Sequence, residues 1–206
     1  MPNSSSYFYQ PKEGHGLAHD PFNSIIAPRP IGWISSQDSE GRVNLAPYSF
    51  FNAFNYHPPL IGFSSVGYKD SVRNIEQTGE FCWSLANLTL AQHMNITSQS
   101  VAAAVDEFEL AALGKQTGKI VSVPFVAQSP VAMECKLSQI MQLKSATGQL
   151  CDTWLVIGEV VGVHIAQELL HDGVYQTALA EPILRGGGPG DYFSISEALK
   201  FVMPRP

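Results

Sequence analysis

Short apolar runs broken by Gly, Pro, Asn, Asp and Ser clusters recur along this chain, a spacing that predicts strands more often than helices. Ile31 to Ser36 reads as a short strand, and Asp38-Ser39-Glu40-Gly41 as a turn with Gly41 free to take positive φ. Val43 to Phe54 returns as a second strand and makes a hairpin. Pro47 inside it has no N–H to give, so a bulge or a sheet edge is expected there. His57-Pro58-Pro59 reads as a stiff extended link, and Leu60 to Ser64 as a third strand. Asp70 or Ser71 should cap a helix running to about Thr78, with Val72 and Ile75 facing inward and Gly79 stopping it. Phe81 to Ala86 is again a strand. Thr89-Leu90-Ala91-Gln92 and Asp106-Glu107-Phe108-Glu109 have capping-box form and open two more short helices, the second ended by Gly114.

Val131 to Leu143 and Trp154 to Ile165 read as two long strands joined by the Thr147-Gly148 turn. On the second, Leu155, Ile157, Val161, Val163 and Ile165 share one face, and Trp154, Val156 and Val160 the other, which predicts cover on both sides. Six or seven strands and three short helices in mixed order, without a βαβ rhythm, point to a mainly β fold. An antiparallel barrel is expected, not a doubly wound sheet. Residues 1–24 are polar and without period, so they are expected to form an arm preceding a single domain over 25–206.

Composition narrows the partners. Hydrophobic residues make up 45% and charged residues 15%, which supplies a core and implies surface hidden by a ligand or a second subunit. The net charge is -6 with no Lys/Arg cluster, which argues against nucleic acid as a partner. MPNSSSYFYQ lacks both the basic start and the apolar core of a signal peptide, and no apolar run approaches the roughly 20 residues of a membrane span. Cys82, Cys135 and Cys151 are odd in number and show no CxxC spacing, so they read as buried thiols in a reducing compartment. The expectation is a cytoplasmic protein without a membrane partner. His15/His19 and His164/His171 have no acidic or thiol partner at metal-ligand spacing, so no metal is expected.

Candidate chemistry concentrates between Ala27 and Asn74. At Ser64-Ser65-Val66-Gly67-Tyr68-Lys69-Asp70-Ser71 a strand ends, a glycine loop follows and a helix begins. Free N–H groups, the helix dipole, serine hydroxyls and a lysine would then converge on one spot that suits a phosphate monoester. Taken alone, the commoner meaning of such a stretch is an ordinary loop whose serines cap the helix. In Ala46-Pro47-Tyr48-Ser49-Phe50-Phe51-Asn52, a proline bulge would free backbone groups for the pyrimidine edge of an isoalloxazine ring, with Tyr48, Phe50 or Phe51 walling its face. The competing meaning is an aromatic strand packed in the core. Trp33 is open to either. Arg185-Gly186-Gly187-Gly188-Pro189-Gly190-Asp191-Tyr192 reads as a mobile loop near a ligand mouth or as a surface turn.

Together these segments change the picture. Arg29-Pro30-Ile31-Gly32-Trp33-Ile34-Ser35, Asn44-Leu45-Ala46-Pro47-Tyr48-Ser49-Phe50-Phe51-Asn52, Pro58-Pro59, Lys69-Asp70-Ser71-x-x-Asn74-Ile75 and Gly79-Glu80-Phe81 resemble the flavin reductase-like family of FMN-binding split-barrel proteins. Asp106-Glu107-Phe108-Glu109, Ser129-Pro130-Val131, Glu134-Cys135 and Ile157-Gly158-Glu159-Val160-Val161 continue the pattern, and the resemblance spans roughly residues 22–195 in consistent order. It is nearest the subgroup typified by the smaller component of nitrilotriacetate monooxygenase. The resemblance implies a homodimer of antiparallel, Greek-key-like split β-barrels, with FMN in a groove near the subunit interface. Ser49, Phe50 and the backbone of Pro47 and Tyr48 would touch the flavin. Ser64, Lys69, Asp70, Ser71 and Asn74 would surround its phosphate, with Trp33 and Arg29 as further candidates.

The activity so implied is NAD(P)H:FMN oxidoreduction, with a flavin-dependent monooxygenase or another redox protein as partner. No catalytic side chain is required, because the chemistry belongs to the flavin. The alternative is a non-enzymatic FMN electron carrier of the flavoredoxin kind. One departure bears on the choice. Short-chain reductases carry Gly-Asp-His near the nicotinamide site and this chain has none, which supports FMN binding more than fast NAD(P)H oxidation.

Overall fold

The computed structural model describes residues 6–205, so the expectations for residues 1–5 of the arm and for Pro206 lie outside the described residues. The first strands are β1 (Arg29–Pro30), β2 (Gly32–Gln37), β3 (Val43–Tyr48), β4 (Phe51–Asn55), β5 (Leu60–Val66) and β6 (Glu80–Ser84). They are followed by β7 (Lys115–Gln116), β8 (Phe125–Val126), β9 (Val131–Lys144), β10 (Leu150–Ile165), β11 (Leu170–His171), β12 (Val174–Tyr175), β13 (Ile183–Arg185) and β14 (Tyr192–Ser194). Among the described residues four α-helices accompany them: α1 (Phe22–Ile25), α2 (Asp70–Thr78), α3 (Ala91–Ile96) and α4 (Glu107–Leu110).

Seven strands form one antiparallel sheet in the order β3-β2-β6-β9-β10-β5-β4. The sheet curls until its ends meet. The Tyr48 ring of β3 lies 4.4 Å from Phe63 of β5, and Phe51 of β4 stacks on Trp83 of β6 at 5.9 Å. This is the mainly β, split-barrel architecture that the sequence led us to expect.

Val43 to Phe54, expected as one strand, is two. The chain turns at Ser49 and Phe50, so β3 and β4 lie on opposite edges of the sheet. Arg29 Nε donates to the Ser49 carbonyl (3.1 Å) and the Ser64 amide to the Phe50 carbonyl (2.9 Å), which fixes this corner. Pro47 sits on the edge strand β3, paired only with β2 and without a register shift, so an edge and not a bulge accommodates it. His57-Pro58-Pro59 is likewise no extended link. It belongs to the turn between β4 and β5, where Asn55 Nδ2 donates to the Pro58 carbonyl (2.8 Å).

Helix α2 buries Val72 and Ile75 fully and stops at Gly79 (φ 72), as its pattern predicts. Its N-terminus differs from expectation: Lys69 is the N-cap residue and no side chain caps it, because an ammonium group has no acceptor to offer the helix amides. The N-cap residue of α3 is Leu90 and no side chain caps it; Thr89 does not, and the Leu90 amide is held instead by Asn87 Oδ1 (3.0 Å) in the turn before the helix. Asp106 does cap α4, accepting from Phe108 N and Glu109 N. That helix ends ahead of Gly114, and the left-handed position is taken by Ala112 (φ 52).

The barrel interior holds Ile34, Phe63, Phe81 and Val156 with Val72 and Ile75 of α2. A second core lies where Trp33 and Leu45 meet Met94 of α3 and Phe108 of α4. A third joins Cys82 and Ala132 to Val121, Val123 and Phe125. Each such large apolar side chain contributes about 1.5–3 kcal/mol on burial. The expected two-sided cover of β10 holds only in part. Val156 is fully buried, but Val163 is 54% exposed. A register shift between Val160 and Gly162 exchanges the faces, so a single alternation cannot describe the whole strand. Cys82 and Cys135 are buried and Cys151 is half-buried, all three as free thiols. Among the described residues no helix is long and apolar enough to cross a membrane.

Candidate functional site

β5 ends at Val66, Gly67 turns the chain at φ 87, and α2 starts at Asp70. The amides of the first helical turn have no partner within the helix, and no side chain supplies one here. With the positive end of the helix dipole they make a natural anion site. A cavity of about 320 Å³ opens there, lined by Lys69, Asp70 and Ser71 from the start of α2 and by Asn44, Pro47 and Tyr48 from β3. Its other wall is Glu107 of α4 and the segment Thr97 to Val101.

Ser71 is buried, and its Oγ accepts a hydrogen bond from Asn44 Nδ2 (2.9 Å). Burial pushes the Tyr48 phenol up, while the Ser71 and Ser65 hydroxyls pull it the other way. Asp70 is ion-paired with Arg73 one turn along the helix. Glu107 is only 7% exposed and accepts from the Leu45 amide at 3.1 Å. Burial pushes its carboxyl up against the pull of the Leu45 and Glu107 amides, and the charges of Asp106 and Asp70 push the same way.

Pro47, Tyr48, Lys69, Asp70 and Ser71 are therefore brought together by the fold. The other candidates lie elsewhere. Trp33 is wholly buried beneath α3, where its Nε1 donates to Thr97 Oγ1 (3.0 Å), so it supports a cavity wall without lining it. Asn74 is buried behind the cavity, with its Nδ2 on Ser36 Oγ at 3.3 Å. Ser49, Phe50 and Ser64 form the corner between the edge strands, and Phe50 stays 39% exposed with the Arg29 guanidinium 5.6 Å from its ring centre. Arg29 donates to the carbonyls of Asn23, Ile26, Ser49 and Gly186, which makes it a clamp on three other stretches of chain.

Asn44, Glu107 and the Thr97–Val101 segment line the cavity although the sequence reading did not choose them as site residues. For Asn44 the signal existed, since it opens the Asn-Leu-Ala-Pro-Tyr run. Glu107 read as part of a helix start, and the pairing with Leu45 that aims it at the cavity joins positions remote in sequence. A larger cavity of about 560 Å³ lies between α3 and β13–β14. The Arg185–Tyr192 loop borders it and is braced by Arg185, which donates to the carbonyls of Gly187, Gly188 and Asp191. The smaller cavity is the better site because it alone joins a helix N-terminus, a lysine and a held serine hydroxyl. Its donors suit a phosphate monoester, and the free outer edge of β3 at Ala46–Tyr48 offers backbone groups to a flat polar ring beside it. Among the described residues no group of three or more His, Cys, Asp or Glu side chains could hold a metal ion.

Comparison with known proteins places these features in a family. The sequence profile of the flavin reductase like domain matches residues 25–179. An uncharacterized protein of Halalkalibacterium halodurans is 33% identical over 187 residues, covering 88% of this chain and 87% of its own. The structure of nitrilotriacetate monooxygenase component B from Bacillus cereus superposes with a TM-score of 0.86 at 30% identity, over 98% of this chain and 100% of that one. The 2-nitrobenzoate 2-nitroreductase of Pseudomonas fluorescens superposes with a TM-score of 0.78 at 27% identity, over 89% and 88% of the two chains.

Proposed function

The chain belongs to the flavin reductase-like family, and from that premise we propose that it is an NAD(P)H:FMN oxidoreductase holding the FMN phosphate at the start of α2. The observation that carries the reading is the uncapped N-terminus of α2 opening, with Lys69 and Ser71, on a cavity next to the edge of β3. Lys69 offsets phosphate charge, and Ser71, held by Asn44, donates its hydroxyl proton to a phosphate oxygen. The backbone of Pro47 and Tyr48 and the exposed ring of Phe50 orient the ring system along the sheet edge. When bound, FMN supplies the redox chemistry, accepting hydride from a nicotinamide donor. The partner so implied would be an oxygenase or another redox protein.

The proposal includes a homodimer, favoured by the open edge strand β4 with Phe54 at 53% exposure and by Tyr56, at 81%, in the turn that follows it. An FMN electron carrier is the second reading, and the missing Gly-Asp-His favours it.

Replacing Lys69 and Ser71 together by Ala should weaken FMN by about 1.5–3 kcal/mol per lost charge-assisted contact, with riboflavin affinity nearly unchanged. Equal losses for both flavins would show the phosphate lies elsewhere. Anaerobic stopped-flow with NADH or NADPH then separates reductase from carrier. Rapid saturable bleaching of the flavin band establishes the reductase, and bound flavin that stays yellow with both donors establishes the carrier.

A further inference from the structure

The phosphate cavity holds a charge conflict. Lys69 is the lining cation, and Asp70 and Glu107 are both carboxylic acids. A dianionic phosphate placed among two carboxylates meets repulsion that one lysine offsets only in part. The two acids are not alike. Asp70 is ion-paired with Arg73. Glu107 appears in no ion pair among the described residues, and its side chain accepts the Leu45 amide with one oxygen.

The charged and titratable groups around Glu107 complete the picture. On its own helix Asp106 is ion-paired with Lys115 of β7, and Glu109 is exposed. From α2 come Lys69 and Asp70, and from β3 the Tyr48 phenol. From α3 comes His93, whose Nδ1 lies 2.8 Å from the Ala111 carbonyl at the end of α4. No cation is paired with Glu107 from any of these elements.

We propose that Glu107 makes phosphate binding proton-linked: phosphorylated flavin enters together with a proton taken from solvent onto the Glu107 carboxylate, and unphosphorylated flavin does not. This rests on the reading of the cavity as the phosphate site. Protonated Glu107 keeps accepting the Leu45 N–H and turns its second oxygen from a repelling charge into an O–H donor facing the cavity. Burial already favours its neutral form, and an arriving dianion acts in the same direction. Glu107 thereby ties the retention of the phosphorylated cofactor to pH.

The test is calorimetric titration of the full chain with FMN and with riboflavin at pH 7, in buffers of different ionisation enthalpy, for wild type and Glu107→Gln. Gln still offers an oxygen to the Leu45 amide. The second ionisation of the phosphate, near pH 6, leaves free FMN with about 0.1 proton at pH 7, which is released when the dianion binds to either protein. Wild type should show a net uptake of protons with FMN and none with riboflavin, and its FMN affinity should fall by up to about tenfold per pH unit as the pH rises. Glu107→Gln should bind FMN with only the phosphate's own small release of protons. Uptake unchanged in the variant, or no net uptake in wild type, overturns the proposal while a preference for FMN over riboflavin leaves the phosphate site standing. Equal affinity and equal uptake for the two flavins overturns the phosphate site and this proposal with it. If the variant does not fold, the wild-type difference between FMN and riboflavin decides alone.

Discussion

Glu107 and Glu134 are both buried glutamates in one small fold, and their carboxyl groups are driven in opposite directions. Glu134 on β9 accepts hydrogen bonds from the amides of Lys119 (2.9 Å), Ile120 (2.7 Å) and Val121 (2.8 Å) and lies 2.6 Å from His164 Nε2. Burial pushes this carboxyl up, but the Lys119 and Val121 amides, His164 and the Ile120 amide together hold it at about 2. Gly118 lets the loop close so tightly, since a Cβ there would lie 2.5 Å from Glu134 Oε2. Glu107 receives only the Leu45 amide and its own, and there burial prevails. The number of donors, more than depth, sets the state of a buried acid. Glu134 fastens a loop to the sheet, whereas Glu107 borders a cavity with bonding capacity to spare.

The largest expected effect breaks this comparison at its satisfied end. Glu134→Ala leaves three amides without their acceptor and should cost about 3–4 kcal/mol of stability. Glu107→Ala strands a single strand amide and should cost about 1 kcal/mol. Urea unfolding of both variants measures the difference, and equal losses would mean that the donor count does not distinguish the two sites.

Acid provides the next test. Held at about 2 in the folded chain against an ordinary 4.5, Glu134 binds its proton more readily when unfolded. Its contribution is complete above about pH 4.5 and fades as the pH falls toward 2, an effect of about 2–3 kcal/mol across that window. In Glu134→Gln the slope of stability against pH over this window should flatten. A slope identical to wild type would assign the acid sensitivity to other carboxyl groups.

The two glutamates also mark what sequence reading reaches. Lys69, Asp70 and Ser71 are legible because a strand end, a glycine and a helix start follow one another within eight residues, and local order alone places them at the cavity. The apolar spacing of α2 is local in the same sense. Glu107 is not legible as a cavity residue. Its capping-box pattern correctly predicts a helix start at Asp106, but the partner that aims its side chain is Leu45, far away in sequence. The split of Val43–Phe54 into two opposite edges is hidden for the same reason, since the Arg29 and Ser64 contacts that bend the corner come from other segments. Trp33 shows the reverse error. An aromatic residue inside a ligand-like motif is there to pack under α3 and to hold Thr97.

The smallest effect sharpens the comparison, because it reverses the sign found for Glu134. With its folded value raised, Glu107 binds a proton more readily in the folded chain than in the unfolded one. Its ionisation therefore weakens the fold. The penalty is absent below the ordinary carboxyl range and grows as the pH rises through the raised folded value. Glu107→Gln removes the charge and keeps an acceptor for Leu45, so it should match wild type near pH 4 and exceed it by about 1 kcal/mol near pH 8. Thermal or urea melts across that range read the gap directly. A gap that stays constant would tie the difference to packing, and one that closes as pH rises would place Glu107 in the same state as Glu134. A gap that opens identifies a residue whose charge costs stability in the cofactor-free chain, as expected where the carboxyl serves a ligand instead of the fold.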